Sequence, residues 1–356
     1  MDGDKCLTDK NYKWIYTYDY APDSVWEPWR ESDEEPEWIR EEAVAVAARV
    51  TKIRKEMLQD RAGDKACGEG SGPLALGLLA DSHFVYNGTW QDTVASLRAV
   101  KKELRERRGE VAPDGITLDG IIHLGDLSDG LLPLEKTKAI ELGCISDLEE
   151  LEVPVYITPG NHDYNYFHGN PEVKYPDRPQ YYVDYPEHGL RMIFIDSFDP
   201  RESVRYGFTN YCIHWLDACL RQMPENYVAV VFSHVTPLVR LQAWAKDIRN
   251  RNGLIEVLDK YADKILAFIN GHNHCDHIFN DLKNGKFPII SINCAKCEYF
   301  VDHKPEGAVV PERRLGDRTQ ESFDIMQVDA VSRKIFFTRF GAGSDRIVEN
   351  GKGRYI

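Results

Sequence analysis

The stretch Leu74–His83, with the sequence LALGLLADSH, is an apolar run that ends abruptly in Asp-Ser-His. A continuous apolar run of about four to eight residues is typical of a strand that is buried on both faces of a sheet. Open α/β sheets place their ligand sites at the carboxyl ends of such strands. The stretch therefore predicts a buried strand whose final residues, Asp81 and His83, lie at a functional edge.

The same pattern recurs along the chain, because five further apolar runs end in polar residues. These are Ile121–Leu124 before Asp126, Val153–Ile157 before Asn161, Met192–Ile195 before Asp196, Val228–Phe232 before His234, and Ile265–Ile269 before His272 and His274. Helical stretches at Thr89–Arg108 and Leu134–Leu151 lie between runs, whereas Pro288–Asn293, Phe323–Val328 and Lys334–Phe340 are β-like with little helix between them. Strands that alternate with helices predict an α/β fold.

Composition excludes several classes of protein. The 356 residues are 42% hydrophobic, which is enough for a packed core, and the net charge of −14 disfavours general binding to nucleic acid. No run is long enough to span a bilayer, and Met1–Lys10 has no secretory signal pattern. Eight scattered cysteines without a zinc-ribbon pattern predict reduced thiols. We therefore expect a cytoplasmic protein that binds no membrane; the oligomeric state stays open.

The first 72 residues differ from the rest and are predicted to form a segment of their own, followed by a main domain over residues 73–356. Four tryptophans lie in this segment among acidic residues: Trp14, Trp26, Trp29 and Trp38. Helical periodicity follows, with apolar side chains at Ile39, Ala43, Val44, Ala47, Val50, Ile53 and Met57. We expect one amphipathic helix, and a segment that either packs on the main domain or acts as a lid.

Seven strand-end residues are the kinds of ligand that two divalent ions require. A site of this kind needs carboxylate, amide and imidazole donors from several chain segments, and one oxygen ligand that bridges the ions. The candidates are Asp81, His83, Asp126, Asn161, His234, His272 and His274. Glycine precedes both Asp126 and Asn161, which permits close backbone approach at a crowded site.

The order of these residues resembles that of the calcineurin-like metallophosphoesterase superfamily, in its bacterial and phage-type branch. The motifs are Asp-x-His from Asp81, Gly-Asp-x-x-Asp from Gly125, Gly-Asn-His-Asp from Gly160, the lone His234, and Gly-His-x-His from Gly271. The resemblance implies a sandwich of two β-sheets flanked by helices, in α-β-β-α layers, with the metals at the carboxyl edge of the sheets.

The resemblance also implies a role for each residue. Asp81, His83 and His274 would hold the first ion, Asn161, His234 and His272 would hold the second, and Asp126 would bridge them. A metal-bound hydroxide would attack phosphorus in line, while His162 would stabilise the phosphoryl oxygens and protonate the leaving group. The carboxylate of Asp129 would orient His162. Mixed nitrogen and oxygen ligands suit manganese, iron or zinc, and the sequence does not choose among them.

Departures from the pattern disfavour two branches of the superfamily. Protein serine/threonine phosphatases have Arg where this chain has Gly130, and Glu where it has Asp163. Purple acid phosphatases have a Tyr ligand at the position of Asp129. We therefore expect a hydrolase of a small-molecule phosphate ester, with a diester slightly favoured over a monoester. A DNA-repair type of nuclease and a catalytically silent binding or scaffold protein are the alternatives.

Loops beside the metals supply candidates for substrate binding: Phe84, Tyr86, Asn87, Tyr164 and His168. Aromatic and amide groups of this kind can stack on and hydrogen-bond an organic leaving group, but they are equally compatible with packing. A Gly-rich run at Thr338–Arg346 carries two arginines. No helix signal follows it, so the run does not favour a phosphate-binding loop and its role stays open.

Overall fold

Strand β1 (Leu74–Leu79) is buried along its whole length, as its apolar run predicts. The computed structural model describes residues 34–63, 72–84, 89–111, 115–130, 134–164, 180–242, 244, 246–283, 285–297 and 304–356. Alternate side chains of β1 enter two different cores: Leu76 and Leu78 face a second sheet, while Ala75 and Leu79 face helices. This double burial is why the run lacks polar residues until the strand ends.

The first sheet has seven strands, and β1 lies between its parallel and antiparallel parts. The parallel neighbours are β2 (Gly120–His123) and β3 (Val155–Ile157). The antiparallel side contains β10 (Ser322–Asp329), β11 (Lys334–Gly341), β12 (Arg346–Glu349) and β13 (Lys352–Tyr355), in the overall order β13-β12-β11-β10-β1-β2-β3. Helices α1 (Glu37–Gly63), α2 (Thr89–Glu106) and α3 (Leu134–Glu149) supply apolar residues to the core on its outer face.

The second sheet has six strands in the order β4-β5-β6-β7-β9-β8. They are β4 (Tyr181–Tyr185), β5 (Leu190–Ile195), β6 (Val228–Ser233), β7 (Ile265–Asn270), β8 (His277–Phe279) and β9 (Ile289–Ser291). Strands β5, β6, β7 and β9 are parallel, and β4 and β8 close the edges antiparallel. Helices α4 (Asn210–Arg221) and α5 (Arg251–Lys260) pack on its outer face.

An apolar layer joins the two sheets and gives the α-β-β-α order of layers. Phe194, Phe232 and Ile269 of the second sheet pack there with Met326 and Phe337 of the first. The predicted fold class is therefore confirmed. Among the described residues, no helix combines the length and apolarity that a membrane span requires.

Helix α1 packs on the first sheet, and one residue of its buried face differs from the predicted set. Val44 was expected on the apolar face, but it is 39% exposed, whereas Val46 is fully buried. The helix is also tied to the sheet by polar contacts, since Gln327 Nε2 donates to Val50 O at 3.1 Å and Arg61 pairs with Asp329. Residues 1–33 of the segment 1–72 lie outside the described residues, so the lid alternative and the division at residue 72 stay predictions.

Val46→Ala should lower the free energy of unfolding by about 1–3 kcal/mol, because it removes buried methyl groups from the contact between α1 and the sheet. Val44→Ala is the matched control, with the same gain in helix propensity at an exposed position, and should change stability by less than about 0.5 kcal/mol. Chemical denaturation of both variants checks this. Equal losses would contradict the packing face described here.

Candidate metal centre

Five of the seven predicted ligand residues adopt a backbone conformation that is rare for side-chain-bearing residues. Asp81, His83, Asp126, His272 and His274 have φ between 43° and 70°. Among the described residues, only nine non-glycine positions have positive φ, so more than half of them lie here. Each such residue costs roughly 1–3 kcal/mol, and strain of this kind collects at functional sites. The surrounding structure must therefore hold these strand ends in place.

Close contact between backbones packs the strand ends together. A Cβ at Gly160 would lie 2.1 Å from Asp126 Oδ1 and 2.3 Å from Asp126 N. A Cβ at Gly271 would lie 2.6 Å from Asp81 Oδ2. Only glycine fits at either position, which explains the glycine that precedes Asn161 and the one that precedes His272.

The first group of ligand atoms comes from Asp81, His83 and His274. His83 Nε2 and His274 Nε2 are 3.1 Å apart, and Asp81 Oδ1 lies 3.4 Å from His274 Nε2 and 3.9 Å from His83 Nε2. These residues come from two chain segments, because Asp81 and His83 follow β1 and His274 follows β7.

The second group comes from Asn161, His234 and His272. His234 Nε2 lies 3.1 Å from Asn161 Oδ1 and 3.2 Å from His272 Nδ1. Asp126 Oδ2 lies between the two groups, because it is 3.3 Å from His234 Nε2 and 3.6 Å from His83 Nε2. Its other oxygen, Oδ1, accepts a hydrogen bond from His162 N at 2.8 Å. Asp126 Oδ2 is therefore the atom that both groups share.

Hydrogen bonds fix which nitrogen of His83 and of His234 faces the site. His83 Nδ1 lies 2.8 Å from Asp129 Oδ1, and His234 Nδ1 lies 2.6 Å from Leu124 O. A carbonyl or carboxylate oxygen only accepts, so each Nδ1 carries the proton and each Nε2 presents a lone pair. Histidines that ligate metals are oriented in this way.

The donor set fits two cations. Lone pairs of His83, His234, Asn161 and Asp126 converge with few protons among them, which is unfavourable unless a positive charge lies between them. Asp81 Oδ1 is buried and accepts no hydrogen bond of ordinary geometry from the described residues. Two ligands on one ion, each about 2.1 Å from it, are about 3.0–3.4 Å apart, which is close to the spacings seen here.

Electrostatics at the centre favour negative oxygen ligands. Burial opposes ionisation of Asp126, yet the neighbouring charges of His234 and His162 lower the pKa of its carboxyl group well below the ordinary value. Burial likewise opposes protonation of His234, but the attraction of Asp126 raises its pKa to about 9. The centre is thus a site for positive charge.

A family model for calcineurin-like phosphoesterases matches residues 74–276, which is more than half of the chain. The chain belongs to the calcineurin-like phosphoesterase family. The matched region contains all the motifs on which the resemblance rests, so the predicted family is confirmed. The family is one of phosphoesterases, which agrees with the predicted enzyme class.

Individual relatives are more distant. A probable glycerophosphodiester phosphodiesterase, GpdQ, from Arcobacter nitrofigilis is 28% identical over 171 residues, which are 44% of this chain and 56% of the relative. A dimetal phosphatase from Danio rerio has a TM-score of 0.54 at 17% identity, covering 78% of this chain and 99% of that one. PhoD has a TM-score of 0.51 at 9% identity, covering 81% and 72%. At these identities the two structures show the shared fold.

The partner of His162 in this calcineurin-like phosphoesterase differs from the predicted one. His162 Nδ1 lies 2.7 Å from the backbone carbonyl of Asp129, so the carbonyl and not the carboxylate orients this ring. The Asp129 carboxylate contacts His83 Nδ1 instead, and the buried Lys296 Nζ lies 3.5 Å from the same oxygen. The motif placed Asp129 at the site but could not show which of its oxygens His162 would meet.

Two of the predicted substrate contacts, Phe84 and Tyr164, have side chains that are buried in packing. Phe84 is 2% exposed and packs near Trp90, at 6.3 Å between ring centroids. Tyr164 is 6% exposed, and its hydroxyl donates to Asp196 Oδ2 at 2.6 Å. Tyr86, Asn87 and His168 lie outside the described residues. Tyr206 was not singled out in the sequence, yet its ring lies 5.1 Å from that of His272.

Asp163 is a structural anchor for the centre. Its Oδ2 accepts hydrogen bonds from Asp126 N at 2.7 Å and Gly160 N at 2.8 Å, and its Oδ1 accepts one from Leu127 N at 2.8 Å. The buried carboxylate therefore fastens the loop of Asp126 to the loop of Asn161.

Asp163→Asn replaces one acceptor oxygen with an amide donor, so at least one of the three buried N–H groups loses its partner. We expect the free energy of unfolding of metal-free protein to fall by about 1–3 kcal/mol. Asp263→Asn is the control, because Asp263 is 82% exposed and pairs with Lys286 at the surface. Denaturant titration of both variants checks this, and equal effects would argue against the anchoring role.

Proposed function

We propose that this chain hydrolyses phosphate esters with two divalent ions. Asp81, His83 and His274 would hold the first ion, while Asn161, His234 and His272 would hold the second. The observation that carries the proposal is the position of Asp126 Oδ2, which lies within 3.6 Å of a ligand nitrogen from each group. That position supports a bridging role for Asp126.

The two ions would be manganese, iron or zinc, since the mixed donor set suits all three. When bound, the ions would polarise the phosphoryl group and lower the pKa of coordinated water, which supplies the Lewis acidity of the reaction. The protein's own contribution is to orient the ligands. Asp129 and the Leu124 carbonyl hold the rings of His83 and His234, and His162 N holds Asp126 Oδ1, which leaves Oδ2 directed into the centre.

His162 is proposed as the proton donor to the leaving group. The Asp129 carbonyl fixes the proton on Nδ1, so Nε2 is directed toward the site, where it lies 3.9 Å from Asp126 Oδ2. Its side chain is 19% exposed, against 5% for His83 and none for His234, so it can reach a substrate from the open side. In its protonated form, Nε2–H would contact a phosphoryl oxygen and then transfer its proton to the departing alkoxide oxygen.

The substrate is proposed to be a small organic phosphodiester. Support comes from the relative described as a probable glycerophosphodiester phosphodiesterase, which this chain matches over part of its length. The net charge of −14 supports a small substrate over a nucleic acid polymer.

Protein reconstituted with manganese, iron, cobalt, nickel or zinc should hydrolyse bis-p-nitrophenyl phosphate, with a kcat/KM at least about fivefold above that for p-nitrophenyl phosphate, a difference of roughly 1 kcal/mol in transition-state binding. Release of p-nitrophenol measures both. A preference for the monoester would contradict the diester assignment. Cleavage of single-stranded DNA would favour the nuclease alternative. Absence of turnover of every ester with all of these metals would refute the proposal that the chain is a phosphoesterase.

His162→Ala should lower kcat by about 10²–10⁴ while the protein still binds two ions, because the ring transfers a proton and ligates neither ion. Asp126→Ala should remove both ions, since it takes away their shared ligand. Metal content by elemental analysis and turnover of the diester separate the two roles. His214→Ala, at an exposed position on α4, is the control and should change neither quantity. Loss of metal from His162→Ala would show that His162 is a ligand.

A further inference from the structure

The Gly-rich run at Thr338–Arg346 acquires a role in the structure, because its two arginines belong to a buried ionic network. We use the name arginine–aspartate network for Asp276, Asp324, Arg339 and Arg346, whose side chains are at most 2% exposed. Arg339 Nη2 and Arg346 Nη1 both donate to Asp276 Oδ1, at 2.5 and 2.6 Å. Arg346 Nη2 also donates to Asp324 Oδ2, and Arg339 Nε lies 3.2 Å from Asp324 Oδ1. These arginines are therefore occupied within the protein.

The arginine–aspartate network joins the two sheets at the edge that carries the metal centre. Asp324 on β10, Arg339 on β11 and Arg346 on β12 are each two residues from a member of the apolar layer between the sheets. All three therefore lie on the face that is directed toward the second sheet. Asp276 comes from the second sheet, in the loop between β7 and β8 and two residues after His274. The network thus holds the loop that carries His272 and His274 against the first sheet.

The network also reaches the strand end that carries Asp81. Arg339 Nη1 donates to Ser322 Oγ, which in turn accepts from Asn293 Nδ2 at 3.1 Å. The loop that follows Asn293 pairs with the end of β1, since Ala295 N donates to Ala80 O at 2.7 Å and Lys296 N donates to Asp81 O at 3.2 Å. Two segments that carry ligands of the first ion therefore depend on the same buried charges.

We infer that the arginine–aspartate network is a positioning device for the first ion, acting through the segments of Asp81 and His274. This inference rests on the proposed function. Apolar residues of similar volume could fill the space between the sheets with equal or greater stability, so stability alone does not account for four buried charges. Two guanidinium groups instead converge on one oxygen of Asp276, and each also contacts Asp324, so the planar groups hold the two carboxylates in one arrangement. That constraint acts two residues from His274, whose φ of 50° must be imposed by its surroundings.

Asp276→Asn should weaken binding of one of the two ions about 10–100-fold, as expected when a partner behind a ligand is lost, and should leave the other within about threefold. Titration of manganese into metal-free protein, followed by calorimetry well below the unfolding midpoint, measures both steps. Binding is measured without substrate, so the result does not depend on turnover.

Asp329→Asn is the matched control. Asp329 is a fully buried aspartate at the other end of β10, and Arg61 donates to both of its oxygens, at 2.9 and 2.5 Å. This variant also breaks a buried Arg–Asp pair on β10, here with Arg61 of α1, but far along the strand from the loops that carry His272 and His274. It should lower the unfolding midpoint while both ion affinities stay within about threefold of the wild-type values, a change of less than roughly 0.7 kcal/mol in binding.

Unchanged affinities in Asp276→Asn, or an equal loss of affinity in Asp329→Asn, would overturn the inference. If Asp276→Asn does not fold, Arg339→Lys provides the same test, because it keeps the charge and loses the fork; weaker binding of one ion supports the inference and unchanged binding refutes it. A wild-type protein that binds fewer than two ions would instead refute the proposed function. The two failures are therefore distinguishable.

Discussion

The centre of this molecule depends on the crowding of lone pairs around one carboxylate oxygen, Asp126 Oδ2. Imidazole nitrogens from two chain segments lie 3.3 and 3.6 Å from it, and each of these rings donates its Nδ1 proton elsewhere. Lone pairs repel at these distances unless cations separate them. The left-handed backbone at the strand ends and the exclusion of a Cβ at Gly160 follow from the same need to bring these donors together.

The parts of the fold that the sequence predicts are those in which one local pattern has one structural outcome. Strand β1 is apolar at every position because both of its faces are buried, so its run marks it as a central strand. The predicted ligands follow such strands within a few residues, and each contiguous motif marks its candidates. The edge strands β4, β8 and β13 were missed, because half-exposed strands carry polar residues and lack a continuous apolar run.

Contacts between distant segments could not be predicted, because local patterns do not encode them. Asp129 was expected to orient His162 with its carboxylate, but backbone geometry presents its carbonyl and frees the carboxylate for His83. In α1, Val44 and Val46 are equally apolar, and only packing against the sheet decides which one is buried. The same limit separates the predicted ligands from the predicted aromatic substrate contacts. The spacing within each motif marks the predicted ligands, whereas an aromatic residue can pack or bind substrate with equal ease.

Residues 277–356, which follow the region that the family model matches, also affect how the metal centre is held in place. The proposed ligands follow strands of both sheets, and the apolar layer between the sheets fixes their separation but is non-directional and tolerates small sliding movements. An ion pair between Asp276 of one sheet and two arginines of the other opposes such sliding, because its geometry is specific. The antiparallel strands β10, β11 and β12 are therefore more than a cover for the edge of the sheet, since they supply the charges that hold a ligand loop in register.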